Sequence, residues 1–75
     1  MGRAEIADCV FKVISEYTKM DTDDLSEDTL FMEIGIGEEE LQEIIARASE
    51  ELEIDTYFDR PESIGELIDS YEEEL

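Results

Sequence analysis

Three consecutive carboxylates, Glu38, Glu39 and Glu40, are the residues of this 75-residue chain best suited to chemistry at one defined place. They follow Gly35 and Gly37, whose backbone freedom permits a non-helical entry, and they precede an apolar pattern of helical spacing. Carboxylates in the first turn of a helix face unpaired amides and the positive end of the helix dipole, which contributes about 0.3–1 kcal/mol each. We therefore expect function at this junction between loop and helix.

A second acidic run, between residues 21 and 28, raises the question of calcium binding. An EF-hand loop needs oxygen ligands at its first, third and fifth positions, glycine at the sixth and glutamate at the twelfth. Counted from Asp21, the fifth position is Leu25, the sixth is Ser26 and the twelfth is Met32. The motif fails, so the sequence favours a solvated loop over a specific calcium site.

Catalytic and metal chemistry find little support in the composition. The chain has no histidine, and its single cysteine, Cys9, can form neither an internal disulfide nor a zinc site. Cys9 falls on the apolar side of a predicted helix, which indicates a small core residue. General acid–base catalysis would need carboxylates in a cleft, and a small helical bundle has little room for one. We expect no enzyme, no catalytic residue and no metal.

The charge of the chain restricts its partners. Five basic and twenty-four acidic residues give a formal net charge of -19, which disfavours nucleic acid and anionic membranes and favours a partner that presents Arg and Lys. An acidic decoy that imitates nucleic acid and occupies a basic groove is therefore one candidate function. No apolar run reaches the length of a membrane span, and the N-terminus has no signal-peptide pattern, so we expect a cytoplasmic protein without membrane insertion.

The apolar pattern predicts a single all-α domain over residues 1–75, with three long helices, one short helix and a long loop after helix one. Ser63 and Glu66 have the spacing of a capping box at the start of the last helix. The predicted helices are Ala4–Lys19, Glu38–Glu51, a short turn around Thr56–Asp59, and Ile64 to about Glu73. Their apolar stripes are Ile6, Cys9, Val10, Val13, Ile14 and Tyr17 in the first, Leu41, Ile44, Ile45, Ala48 and Leu52 in the second, and Ile64, Leu67, Ile68, Tyr71 and Leu75 in the last.

The connection from Met20 to Gly37 is too apolar for a free linker. We expect it to fold back across the helices through five side chains: Leu25, Leu30, Phe31, Ile34 and Ile36. A later irregular passage should be anchored in the same way by Ile54, Tyr57 and Phe58.

Three segments resemble the acyl and peptidyl carrier proteins. IGIGEEELQEII, residues 34–45, looks like their LGxDSLxxxEL segment, with Ile34 and Gly35 as the LG pair and Glu43 and Ile44 as the closing EL. FDRPESIGELIDSYEEEL, residues 58–75, resembles their FxxPTIxxLAxYL signature. It matches at Phe58 and Pro61 and, with one inserted residue after Pro61, at Ile64, Leu67 and, approximately, Tyr71. SEDTLFMEIG, residues 26–35, looks like the loop that precedes the modification site. The resemblance covers essentially the whole chain and implies a small acyl-carrier-like four-helix bundle.

The chain departs from this family at the centre of the motif. Family members carry a serine there that becomes a phosphopantetheine ester, and this chain has Glu38, with Gly37 in place of Asp and Glu39 in place of Leu. The resemblance implies phosphopantetheine as cofactor only if residue 38 were serine, so we expect no cofactor. Two interpretations of Glu38 remain: a lost or replaced site with good first-turn residues, or partial imitation of the phosphate charge.

The predicted second helix carries a charged surface that the resemblance marks as a docking surface. In the family, this acidic face binds enzymes that present basic patches, so the implied partners are a ketosynthase, a transferase or a hydrolase. We expect the chain itself to be a monomer. The residues predicted to bind a partner are Glu38, Glu39, Glu40, Glu43, Arg47, Glu50 and Glu51. The opposing interpretation is that a chain of this charge is acidic everywhere, so that this face is not special.

Overall fold

Three α-helices and two short 3-10 turns carry the fold in the computed structural model, which describes residues 2–54 and 61–74. In chain order the elements are α1 (Arg3–Thr18), the 3-10 turns Thr22–Asp24 and Phe31–Ile34, α2 (Glu38–Leu52) and α3 (Ile64–Glu74). No strand occurs in the described ranges, so the all-α prediction is confirmed, with each long helix within one residue of its predicted limits. The short helix expected around Thr56–Asp59 lies outside those ranges.

Helix α1 lies at the centre and packs against both α2 and α3. The apolar stripes of the three helices meet in one core, where burial of each large side chain contributes about 1.5–3 kcal/mol. Cys9 and Tyr17 are only half-buried at its edge, and the predicted core residues Tyr57, Phe58 and Leu75 lie outside the described part of the chain. The buried apolar side chains are Ile6, Val10, Val13, Ile14, Leu25, Phe31, Ile36, Leu41, Ile44, Ile45, Ala48, Leu52, Ile64, Leu67, Ile68 and Tyr71.

The long connection is anchored as predicted, with one correction. Leu25, Phe31 and Ile36 are buried and Ile34 is half-buried, whereas Leu30 is 37% exposed, so its predicted role as a buried anchor is wrong. Leu30 has extended backbone angles, and neighbouring side chains of extended backbone point to opposite sides. Since Phe31 takes the inner side, Leu30 is left at the surface.

The connection is also joined to the start of α3 through its backbone. We call residues 27–31 and 62–65 together the seam, because three backbone hydrogen bonds join them, two of which form an isolated antiparallel bridge between Leu30 and Ser63. At its tightest point a Cβ on Gly65 would lie 2.9 Å from the carbonyl oxygen of Glu27. The three bonds run from the Phe31 amide to the Glu62 carbonyl (3.0 Å), from Ile64 to Thr29 (3.0 Å), and from Gly65 to Glu27 (2.9 Å).

Polar contacts fix the start of α3 and the first turn of α1. The predicted capping box is confirmed: the Glu66 amide donates to Ser63 Oγ (3.2 Å), and the Ser63 amide donates to Glu66 Oε2 (3.1 Å). The guanidinium of Arg3 contacts the carboxylates of Glu27, Asp69 and Glu72, and its hydrogen bonds to Asp69 and then to Glu27 raise its pKa above its ordinary value. Arg3 thus connects α1, the seam and α3 with one side chain.

One buried polar network joins α2 to α3. The Tyr71 hydroxyl, fully buried, donates to the carbonyl of Ile45 (2.8 Å) and lies 2.8 Å from Ser49 Oγ. Since its single proton goes to Ile45, the Ser49 hydroxyl must donate to Tyr71.

Within the described ranges no helix is long and apolar enough to cross a membrane.

Candidate docking surface

The backbone between the second 3-10 turn and α2 places residue 38 at the protein surface. Gly35 takes the left-handed conformation (φ 76°), which a glycine adopts without steric cost, and the Ile36 amide then donates to the Phe31 carbonyl at 3.0 Å. Ile36 is buried, so it pins the loop immediately before the helix. Glu38 follows as the exposed first residue of α2. Its carboxylate therefore lies at the loop-to-helix junction.

Glu40 has a structural task at the same helix end. Its carboxylate accepts a hydrogen bond from the Gly37 amide, which is half of a capping box and satisfies one of the amides left unpaired at a helix start. The side chain is consequently half-buried and turned back toward the loop. Of the three first-turn carboxylates, Glu38 and Glu39 are exposed.

A row of exposed residues runs along the side of α2 opposite the core. Residues at intervals of three and four share one helix face, and the four members of this row are all exposed. We call them the outer stripe: Glu39, Glu43, Ala46 and Glu50. Three of the seven predicted partner-binding residues belong to it. Ala46 was not predicted, although its position seven residues after Glu39 was a sufficient signal.

The other side of α2 is occupied in part by α1. The guanidinium of Arg47 lies over the ring of Tyr17, 5.7 Å from its centroid, and the Tyr17 hydroxyl donates to Glu43 Oε2 at 3.0 Å. Desolvation, and secondly the hydrogen bond to Glu43, raise the pKa of Tyr17, with a smaller contribution from the charge of Glu40. Arg47 and Glu40 therefore belong to a flank that faces α1, and Glu43, although exposed on the outer stripe, reaches this flank through its hydrogen bond.

Glu51 belongs to the same flank. Burial is the main cause that raises the pKa of the Cys9 thiol on α1, and the nearby charge of Glu51 raises it further. The predicted set of seven therefore divides into three groups. Glu38 stands at the loop, Glu39, Glu43 and Glu50 lie on the outer stripe, and Glu40, Arg47 and Glu51 lie on the α1 flank.

The five serines of the chain all have positions away from the start of α2. Ser15 and Ser70 donate to backbone carbonyls within or just after their own helices, and Ser26 lies in the long connection. Ser49 is buried against Tyr71, and Ser63 caps α3. None of these hydroxyls could take the role of a modified serine at the loop-to-helix junction.

Beside Glu38 lies an apolar groove that the sequence did not predict. Its volume is about 410 Å³, within the range of about 300–1,000 Å³ typical of ligand pockets, and it is open to solvent. Met32, 79% exposed, and Leu30, 37% exposed, stand at its edge. The groove is lined by Leu30, Phe31, Met32, Ile36, Gly37, Glu38, Leu41, Pro61 and Glu62.

Among residues 2–54 and 61–74, no group of three or more Cys, Asp or Glu side chains has a geometry that could hold a metal ion. Comparisons of the chain with protein-family models, with curated proteins and with solved structures find no match. The features that bear on function are therefore the surface of α2, the groove and the sequence motifs.

Proposed function

We propose that this protein is an acyl-carrier-like module of fatty-acid, polyketide or nonribosomal-peptide biosynthesis that lacks the attachment serine and acts by docking. The observation that carries the proposal is the exposed carboxylate of Glu38 at the first position of α2, directly after the loop with Gly35 and Gly37. In the family that the motifs resemble, this junction presents the modified serine. A carboxylate cannot attack coenzyme A to leave a stable phosphodiester, so the protein carries no acyl thioester there.

The proposal extends to the fold and the setting. The three helices and the long connection are compatible with an acyl-carrier-like four-helix bundle, whose fourth, short helix would be the segment around Thr56–Asp59. A net charge of -19 makes copies of the chain repel one another, which supports a monomer. Such a module would work in the cytoplasm, beside the biosynthetic enzymes.

Docking would use the acidic surface of α2. The carboxylates of Glu39, Glu43 and Glu50 lie in one exposed row, which suits a partner enzyme with a basic patch, such as a ketosynthase, a transferase or a hydrolase. Complementary charge speeds encounter and fixes register, and its effect falls steeply with salt. Glu51 and Arg47 adjoin the row and would set the orientation of the partner.

The first test is incubation with coenzyme A and a broad-specificity phosphopantetheinyl transferase, followed by intact-mass measurement. The natural chain should gain no mass, and the triple variant Gly37→Asp, Glu38→Ser, Glu39→Leu should gain one phosphopantetheine arm. Glu50→Ser, which places a serine on the same helix away from the junction, is the matched control and should stay unmodified. Modification of the natural chain, or a folded triple variant that is not modified, would overturn the proposal.

A second test addresses docking with the same transferase as the partner. In the triple variant, the further changes Glu43→Gln and Glu50→Gln should lower kcat/KM for modification by about tenfold at low salt, because steering by the outer stripe is lost. Glu73→Gln with Glu74→Gln makes the same change of charge at the end of α3 and should have little effect. Equal losses in both pairs would show that total charge, and not the α2 surface, governs the encounter.

A further inference from the structure

The groove beside Glu38 is an apolar surface in an otherwise acidic protein. In the described part of the chain, Met32 and Leu30 are the large apolar side chains exposed to solvent, and both stand at this groove. The floor is made of Phe31, Ile36 and Leu41, which are each less than 10% exposed. Contiguous exposed apolar surface rimmed by polar residues is typical of an interaction site.

The walls of the groove are fixed before any partner arrives. The Phe31 amide donates to the Glu62 carbonyl at 3.0 Å, and the Leu30 amide donates to Glu33 Oε1 at 2.9 Å. Buried Ile36 holds the third side, through its own bond to the Phe31 carbonyl. A preformed groove loses little conformational entropy when it is filled, so more of the contact energy appears as affinity.

The charge at the rim restricts what can fill the groove. Among the described residues that line it, Glu38 and Glu62 have charged side chains, and both are acidic. The four described basic residues are not among the lining residues: Arg3 is bound by carboxylates near α3, Lys12 and Lys19 lie on and just after α1, and Arg47 lies over Tyr17. A fatty-acid carboxylate or a second copy of this chain would meet like charge here, whereas a cationic segment would meet opposite charge.

We propose that the groove binds a basic segment of a partner protein that inserts a large apolar side chain, such as Leu or Phe, between Met32 and Leu41. Lysine or arginine residues beside that side chain pair with Glu38 and Glu62 at the rim. The inserted side chain supplies affinity, and the charges supply orientation. This inference deepens the docking function proposed above, because it adds an apolar anchor site next to the acidic surface of α2.

The test uses a short peptide of known composition, Lys-Lys-Leu-Phe-Lys-Lys with blocked ends, titrated into the isotopically labelled protein and followed by NMR. The peptide should shift the amide signals of residues 30–36 and Leu41. A charge-matched peptide with Ser-Ser in place of Leu-Phe should bind at least about tenfold more weakly, because burial of one such side chain contributes roughly 1.5–3 kcal/mol. Equal binding of the two, or shifts confined to the outer stripe, would overturn the inference.

A variant pair locates the anchor site in the protein. Met32→Ser should weaken binding of the Leu-Phe peptide by about fivefold, through lost apolar contact. Ala46→Ser, an equally exposed change on the outer stripe, should leave binding unchanged. Unchanged binding in Met32→Ser would contradict the proposal. Folding of both variants is monitored by the dispersion of the same spectra, and exposure of Met32 makes loss of the fold unexpected.

Two comparisons separate this inference from its rivals. The peptide Glu-Glu-Leu-Phe-Glu-Glu should not bind, and decanoate should not shift the groove signals. Binding of decanoate without binding of the lysine peptide would overturn the proposal in favour of an aliphatic small-molecule site. The transferase assay reports on modification of residue 38, and the peptide titration reports on filling of the groove, so failure of the proposed function and failure of this inference give different results.

Discussion

The seam and the outer stripe are built on opposite principles. At the seam, residues 27–31 and 62–65 bond backbone to backbone, and Gly65 approaches Glu27 so closely that no side chain fits between them. On the outer stripe, Glu39 and Glu50 project into solvent from a helix whose other side does the packing. The seam therefore fixes the fold, whereas the stripe contributes little to folding beyond the exposed hydrogen bond of Glu43 to Tyr17, so its residues are available to contact a partner.

The same substitution in two glycines should give the sharpest contrast. A Cβ at Gly65 would lie 2.9 Å from a backbone oxygen, and a Cβ at Gly37 would lie 2.9 Å from Glu40 Oε2, the end of a flexible side chain. We expect Gly65→Ala to lower the free energy of unfolding by about 2 kcal/mol, since overpacking outweighs the helix propensity of alanine. Gly37→Ala should cost less than about 1 kcal/mol. Urea denaturation measures both values.

The Gly37→Ala protein is itself the control for the effect of an added methyl group. If the two variants lose equal stability, the close approach at the seam does not constrain the fold. A changed urea slope in Gly65→Ala would instead point to an altered denatured or native state.

Loss of the buried hydroxyl on α3 should have the next largest effect. Tyr71→Phe leaves the Ile45 carbonyl without the Tyr71 donor and the Ser49 hydroxyl without its acceptor, which should cost about 1–2 kcal/mol. Tyr17→Phe removes an exposed hydrogen bond to Glu43 and should cost less. Thermal unfolding near neutral pH compares the two variants, and equal costs would mean that the buried network adds nothing to packing.

The same residue makes stability depend on alkaline pH. Burial raises the pKa of Tyr71 above its ordinary value of about 10, so the folded state holds this proton more tightly than the unfolded state. Its contribution is complete below about pH 10 and is lost as pH rises from there toward the folded-state pKa. In Tyr71→Phe the loss of stability above pH 10 should be shallower than in the natural chain. If stability falls equally steeply with pH above 10 in both proteins, the alkaline loss of stability does not come from Tyr71.

Much of this architecture was predictable because the spacing of apolar residues along the chain indicates the helices and their buried faces. The stripes of α1, α2 and α3 placed the helices within one residue, and the Ser63–Glu66 spacing identified the start of α3. Leu30 was misplaced because an apolar residue in a loop reveals no direction without its backbone path. Arg3 was missed for a similar reason, since its carboxylate partners are distant in sequence.

The candidate site was predictable only in part. The start of α2 at Glu38 followed from the glycines and the carboxylates, but helical position alone did not show that Glu40 turns back to cap Gly37. The groove could not be predicted from the sequence, because the seam, and not a local sequence pattern, brings Met32 and Pro61 together. The features that could not be predicted are those that depend on contacts between segments distant in sequence.

The smallest effect on stability is expected on the outer stripe itself. Glu39→Gln with Glu50→Gln removes two of twenty-four acidic residues from a chain of net charge -19. Relief of repulsion stabilises the fold, whereas loss of the Glu39 charge from the first turn of α2 weakens its interaction with the helix dipole. We therefore expect a net change within about 0.5 kcal/mol at low salt, and both contributions should fade near 1 M salt, where the Debye length is about 3 Å. Melting temperatures at the two salt concentrations measure this.

Glu73→Gln with Glu74→Gln is the matched pair, and it should stabilise more, because those carboxylates oppose the dipole at the end of α3. A loss of more than about 1 kcal/mol in the stripe pair would show that Glu39 or Glu50 supports the fold, since surface changes usually stay within about 0.5 kcal/mol. If instead the stripe pair is as stable as the natural chain, weaker docking by a stripe variant reports a lost contact with the partner and not a damaged helix.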